Sequence, residues 1–311
     1  MADVNYTFLL SLTIILIGFI LKKVNIIKEE NGKVIAKIIF NVTLPAIILK
    51  VISTIEFNLS LSLIPLIHII FGFGTLGIAF ILSRNYPRNI KGLILMTVIG
   101  FNVVHLAFPL VEGIWGEEGL QYIVLVDAGN ALMVFFLCYI VGCIFSPTLN
   151  NEGKKVDFKH IAKRLLKSAP LMSYVIALTI NFSGIIIPIF ITDILDIFAR
   201  ANTALTLLLL GIYLSFKFEK AEWNVILKVL LIRYLFGLSI GLSLFFLLPI
   251  NQFPHLYRVV ITISLILPIG IAVIPFSVEF EYDQKIISML VNLSIVISFS
   301  LLWILILLLG V

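Results

Sequence analysis

"GFNVVHLAFPLVEGIWGEEGL", residues 100–120, decides how this chain is read. A helix that only had to cross lipid would have no use for Asn102, His105 and Pro109 near its middle. Asn and His need hydrogen-bond partners, and Pro removes a backbone bond and crowds the preceding turn. All three fall within eight residues of an otherwise apolar stretch. Such a stretch describes an interrupted helix that faces something polar.

The surroundings are lipid-like. Of 311 residues, 61% are hydrophobic and 13% charged, with a mean hydropathy of +1.16. A soluble chain carries about 25% charged residues, and half that cannot solvate a surface of this size. Apolar stretches of roughly 17–25 residues, enough to cross a hydrocarbon core of about 30 Å, recur along the whole length. The chain reads as an all-α integral membrane protein, with the lipid bilayer as its first partner. Its net charge of +5 sits mostly in loops that face anionic lipid, so no nucleic-acid partner is expected. Segment 6–21 has no Lys or Arg before it and is followed by Lys22 and Lys23. That is the wrong order for a secretory signal peptide, and the segment reads as a retained helix.

Hydropathy and breakers divide the sequence into ten helices near 6–21, 34–52, 61–82, 92–115, 119–145, 170–187, 191–216, 225–249, 256–278 and 286–310. The cut between the sixth and seventh rests on Pro188 and Asp193 in and after "GIIIPIF". The one long polar connection, within 146–168, lies at the midpoint. The domain organisation expected is a five-helix repeat over 1–148, a cytoplasmic connecting loop over 149–168, and a second repeat over 169–311.

Lys and Arg are retained on the cytoplasmic side. Connections after odd-numbered helices carry Lys22, Lys23, Lys28, Lys33 and Lys37, then Arg84, Arg88 and Lys91, then Lys154, Lys155, Lys159, Lys163, Arg164 and Lys167, then Lys217, Lys220 and Lys228. The other side has Lys50, Arg200, Arg258 and the acidic Glu117 and Glu118. Both termini are therefore expected outside the cell. One cytoplasmic connection dissents: "EFEYDQK", 279–285, is net acidic.

The halves repeat. "NVTLPAIILKVIS" (41–53) has a counterpart in "ANTALTLLLLGIYLS" (201–215), and "NVVHLAFPL" (102–110) aligns with "PIGIAVIPF" (268–276), setting Pro109 opposite Pro275 and Asn102 opposite Pro268. Five helices per half is an odd number, so the second half enters the membrane inverted. Helices four and nine, broken at matching positions in inverted halves, are expected to cross at the midplane, which is where a secondary transporter binds substrate. Half-helix N-termini aim N–H groups and positive dipole ends into the gap, which favours an anion. The substrate-binding candidates are Asn102, His105, Pro109, Pro268, Gly270 and Pro275.

The sequence resembles the auxin efflux carrier family, of PIN-like architecture, which includes bacterial and archaeal malonate or malate carriers. "NVTLPAIIL", "FNVVHLAFPLVEGIWGEEGL", "ANTALTLLLLGIYLS" and "LILPIGIAVIPFSVEF" carry the resemblance, which spans essentially the whole chain. Asn102, Pro109 and Leu110 match the family's helix-four pattern, whereas Val104 and Ala107 stand where it has glycines. The resemblance implies a scaffold of helices 1, 2, 6 and 7 that also forms a homodimer face, and a mobile transport domain of helices 3–5 and 8–10. It implies efflux of small organic anions by alternating access, without ATP, in the cell membrane.

Other chemistry is sparse. Asp127 and Asn130 share a helix face three residues apart, and with Asn292 they are candidates for handling a coupling ion, since an intramembrane carboxylate is functional by default. His68 reads better as a buried, hydrogen-bonded residue than as a cavity lining. Asp193, Asp196 and Arg200 read as a helix start with an i,i+4 ion pair. Cys138 and Cys143 lack any CxxC or Cys/His spacing and read as packing residues. With no Gly-Lys-Ser/Thr loop and no His-Glu-x-x-His, neither a cofactor nor a metal is called for, and an enzyme is not expected. The rival readings are a sodium- or proton-coupled anion importer of similar architecture and, more remotely, a membrane sensor.

Overall fold

A computed structural model describes residues 3–147, 158–215 and 223–309 of the chain. The expectations placed on Lys154, Lys155, Lys217 and Lys220, and on the first part of the 149–168 connection, fall outside those residues. The helices are α1 (Val4–Lys23), α2 (Glu29–Ile52), α3 (Leu59–Leu82) and α4 (Arg88–Ile99). After them come α5 (103–115) and α6 (117–145), which Gly116 separates with φ 60° and ψ −143°. Then follow α7 (Phe158–Leu166), α8 (Ala169–Ser183), α9 (Ile189–Tyr213) and α10 (Trp223–Leu247). The chain ends in α11 (His255–Ser264), α12 (Val273–Glu279) and α13 (Gln284–Leu308). Seven segments are long and apolar enough to cross a membrane: α1, α2, α3, the 43-residue run of α5 and α6, α9, α10 and α13. This is a multi-pass helical membrane protein. Among the described residues no strand forms, and a single antiparallel bridge joins Phe101 and Ile269.

Local chemistry sets the boundaries. Asp3, Asn58 and Asp283 cap α1, α3 and α13 by accepting N–H groups of the first turn at 2.8–3.2 Å. Gly184, at φ 64°, ends α8 in the left-handed conformation that only glycine adopts freely, and Pro188 precedes α9. The cut expected in "GIIIPIF" therefore falls there. Two wide π-turns, Ile39–Thr43 and Val103–Ala107, each stand two residues before a proline, Pro45 and Pro109. A proline cannot donate to the turn behind it and its ring crowds that carbonyl, so the helix widens. The connection expected to be loop contains α7, because "KHIAKRLL" repeats its apolar residues at helical spacing.

Packing sorts the helices into two groups. α1 lies along α9, α9 against α2, and α2 against α8. At Gly18 and Gly211 an added Cβ would strike the backbone of the facing helix, at Leu208 and Ile15; small residues let membrane helices approach this closely. In the second group α3 packs on α4 and α6, and α10 on α4, α11 and α13.

Charge is segregated between the two ends of the bundle. At one end Lys50 meets Glu117 at 3.0 Å and Asp196 at 2.7 Å, and Asp196 also pairs with Arg200. The Asn181 amide donates there to the Ile52, Ser53 and Ile55 carbonyls. At the other end Lys22 donates to the Leu214 carbonyl, Arg88 to Ile144 and Lys228 to Leu82. Ser146 donates to the Phe280 carbonyl at 3.0 Å, so the acidic 279–285 connection sits at this basic end.

Candidate functional site

The site is built from two interruptions. α4 stops at Ile99, and the chain runs extended through Gly100 to Asn102 before α5 begins. α11 stops at Ser264, and the chain reaches α12 only at Val273. The two breaks run antiparallel and bond to each other: Asn102 N–H donates to the Pro268 carbonyl at 2.9 Å, and Gly270 N–H to the Gly100 carbonyl at 3.3 Å. Asn102 and Pro268, aligned across the sequence repeat, are thus direct partners.

Backbone freed by a break inside a membrane must be satisfied from elsewhere. α6 supplies Asn130, whose amide accepts Phe101 N–H at 2.8 Å and donates to the Phe101 carbonyl at 3.0 Å. α13 supplies Ser294, whose hydroxyl accepts Ile269 N–H at 3.0 Å, and Ser298, which donates to Ile266 at 2.7 Å. α10 supplies Arg233, whose guanidinium donates to the carbonyls of Thr97, Val98, Gly100 and Leu267 and lies 4.5 Å over the Phe101 ring. Gly237, one turn along α10, lets that helix approach the Leu265 carbonyl, where a Cβ would collide.

At the start of α5 the side chain of Asn102 caps the helix, accepting His105 N–H at 3.4 Å and approaching His105 Nδ1 at 2.9 Å. With its oxygen so used, Nδ2 of Asn102 points away and finds no partner among the described residues; neither do Nε2 of His105 and Nδ2 of Asn202. All three residues are buried. The His105 ring packs edge-on to Phe40 at 5.7 Å, and Thr43, in the same π-turn as Phe40, donates to Asn202 Oδ1 at 2.7 Å. Three unpartnered polar atoms thus lie around the contact of α5 with α2 and α9. Buried polar groups are rarely left so, and the helix N-terminus beside them carries positive dipole.

A family profile described as membrane transport protein matches residues 7–161. An uncharacterized transporter of Methanocaldococcus jannaschii is 28% identical over 308 residues, covering 94% of each chain. An uncharacterized transporter of Methanothermobacter thermautotrophicus is 29% identical over 216 residues, 68% of each chain. The chain is a membrane transporter of auxin efflux carrier-like type. The resemblance to auxin efflux carriers drawn from the motifs is borne out, and the transporter reads as a carrier rather than an enzyme.

The transporter brings Asn102, Pro268 and Gly270 together at the paired breaks, with His105 one turn into α5. Pro109 and Pro275 lie beyond the breaks: Pro109 is inside α5, just after the π-turn that accommodates its missing N–H, and Pro275 is in the first turn of α12, where a missing N–H costs little. They are not the residues that open the helices. Val104 and Ala107, standing in place of glycines, fall inside the π-turn, downstream of the extended residues, and need no glycine there. Asp127 is buried and accepts from the Tyr174 hydroxyl of α8 at 3.0 Å. Asn292 bonds Ser215 N–H and the Ser288 carbonyl; in α13 it is Ser294 that serves the break as Asn130 does in α6. His68 is bonded at both ring nitrogens, to Ile64 and Ser264. Sequence reasoning missed Arg233, although a charge near the middle of a 25-residue apolar helix was a legible signal. It also missed Thr43 and Asn202 as site residues, although both stand inside the quoted repeat motifs, 41–53 and 201–215.

Proposed function

We propose that this transporter exports small organic anions, such as carboxylates, by alternating access at the paired breaks, without ATP. The observation that carries the reading is the set of unpartnered atoms at the start of α5. Nδ2 of Asn102, at the N-terminus of α5, and Nδ2 of Asn202, on the adjoining α9, are buried donors, and an anion would satisfy them. Counting α4 with α5 and α11 with α12 as single interrupted crossings, and adding α8, gives ten crossings in two inverted halves. The scaffold is α1, α2, α8 and α9; the moving part is α3 to α6 and α10 to α13. The packing into two groups supports that division, and the donors lie on both sides of it. The segregation of Lys and Arg supports a plasma-membrane orientation with the basic end cytoplasmic and both termini outside. A homodimer through the scaffold helices belongs to the same reading.

The test is counterflow in proteoliposomes against a panel of labelled mono- and dicarboxylates. Saturable exchange of at least one acid, abolished by competitors of the same charge, is expected. Exchange of cations or neutral solutes alone would sink the anion reading.

A second reading, proton-coupled uptake, has one observation in its favour. The Tyr174 hydroxyl lies 3.0 Å from both the Val124 carbonyl and Asp127 Oδ2. It has a single proton to give. Protonating Asp127 would let both contacts be bonds, and the pair joins α6 to α8 across the two groups. Uptake driven by an imposed pH gradient in wild type and lost in Asp127→Asn would favour this reading.

A further inference from the structure

Arg233 is bonded like a coordinated ion rather than like half of a salt bridge. Nη1 donates to the carbonyls of Thr97 at 3.1 Å, Val98 at 3.0 Å and Gly100 at 3.1 Å, and Nη2 to Leu267 at 2.9 Å. Two of these oxygens belong to the last turn of α4, one to the break that follows it and one to the break after α11, so a single cation spans both interrupted helices. The Phe101 ring closes one face of the guanidinium at 4.5 Å. No carboxylate lies among its contacts in the described residues, and Arg233 is 3% exposed.

Two helix C-terminal ends converge here, each with partial negative charge. Convergent backbone carbonyls at half-helix C-termini are what a monovalent cation coordinates in broken-helix carriers. We propose that Arg233 is a resident cation. It fills, from within the chain, the place that a dissolved sodium or potassium ion would otherwise take between the two breaks, so that substrate binding needs no metal cation. The guanidinium suits the role because it stays charged and presents five donors in a plane. Gly237 brings α10 close enough to deliver it. The transport consequence rests on the carrier reading above; the binding consequence does not.

The experiment is thermal melting of the purified full chain in detergent, in choline chloride, with sodium chloride, potassium chloride or a low concentration of guanidinium chloride added. Wild type is expected to melt at one temperature in choline, sodium and potassium. Arg233→Gly should melt lower by roughly 5 °C or more, and sodium or free guanidinium should restore part of the loss through binding to the vacated carbonyls. A saturable rise in the melting temperature of wild type with sodium or potassium overturns the proposal. So does an Arg233→Gly protein that melts like wild type, or one indifferent to every cation. If that variant cannot be recovered, the wild-type titration decides alone, a flat response supporting the proposal and a saturable one overturning it. Counterflow in sodium- and potassium-free vesicles is the second arm, with wild-type rates expected to match those in sodium within twofold. Metal-dependent rates overturn the proposal. No transport of any carboxylate together with the expected melting pattern overturns the carrier reading and leaves Arg233 as the resident cation.

Discussion

The side-chain amide of Asn130 lies against both backbone polar groups of Phe101, accepting its N–H at 2.8 Å and donating to its carbonyl at 3.0 Å. One residue of α6 thereby replaces the two helical bonds that Phe101 gives up in the break. Each buried group left without a partner costs about 1–3 kcal/mol. Asn130→Ala should therefore destabilise by roughly 2–4 kcal/mol, and Asn130→Asp by no less, since a carboxylate cannot donate to the Phe101 carbonyl. Ser294→Ala orphans only the N–H of Ile269 and should cost about half as much. Melting temperatures in detergent rank the three, and a Ser294→Ala loss equal to that of Asn130→Ala would contradict the assignment.

Much of this arrangement was legible in the sequence, and what was not has a physical cause. Hydropathy placed nearly every helix, because lipid forces apolar residues into runs. The alignment of Asn102 with Pro268 marked where the two halves touch. The prolines misled on position: the breaks open at Gly100–Asn102 and at 265–272, upstream of Pro109 and Pro275. A proline in a first turn starts a helix as readily as one in the interior breaks it, and only the paired backbones distinguish the cases. Ser294 could not be told from the many membrane serines that bond their own helix, and its role exists only because Ile269 lies beside it.

A second prediction concerns sidedness. Glu118 belongs to the end where Lys50 meets Glu117, and Glu281 to the end where Ser146 meets Phe280. With Cys138 and Cys143 replaced, a single cysteine at position 118 should react with an impermeant maleimide on intact cells. One at 281 should react only after the membrane is opened, although both connections are acidic. The reverse pattern would turn the protein over in the membrane.

The contact of Lys50 with Glu117, 3.0 Å long, ties α2 to the start of α6. Thr203 of α9 likewise donates to Glu112 of α5 at 2.7 Å. Both cross between the two helix groups at the end away from the basic connections. Glu117 is 80% exposed, and pairs of that kind contribute about 0–1 kcal/mol, so Glu117→Gln should leave the melting temperature nearly unchanged. If the proposed alternating access moves one group against the other, that movement separates the pair. Cysteines at positions 50 and 117 joined by a short bifunctional maleimide should stop counterflow while leaving the protein folded. Undiminished counterflow in fully cross-linked protein would mean that this end does not open.

The last prediction separates the two tasks of Asn102. Its oxygen caps α5 through His105 N–H at 3.4 Å, whereas its Nδ2 is buried with no partner among the described residues. Asn102→Ala removes both and so cannot tell a structural residue from a ligand. Asn102→Ser keeps an oxygen that can cap the helix but has no amide donor to reach the same point. If Nδ2 meets the substrate anion, a hydrogen bond to a charged group worth about 1.5–3 kcal/mol is lost, and affinity should fall roughly ten- to a hundredfold. Stability should stay within about 1 kcal/mol of wild type. Pro109→Ala provides the control: Pro109 stands past the break, just after the π-turn of α5, so affinity should not move far, while the melting temperature should hold or rise as the helix regains a backbone bond. Titrating one transported carboxylate into each purified variant, with melting curves in parallel, reads both quantities. Full affinity in Asn102→Ser would place the anion away from the start of α5, and a large loss of stability with affinity intact would leave Asn102 only its cap.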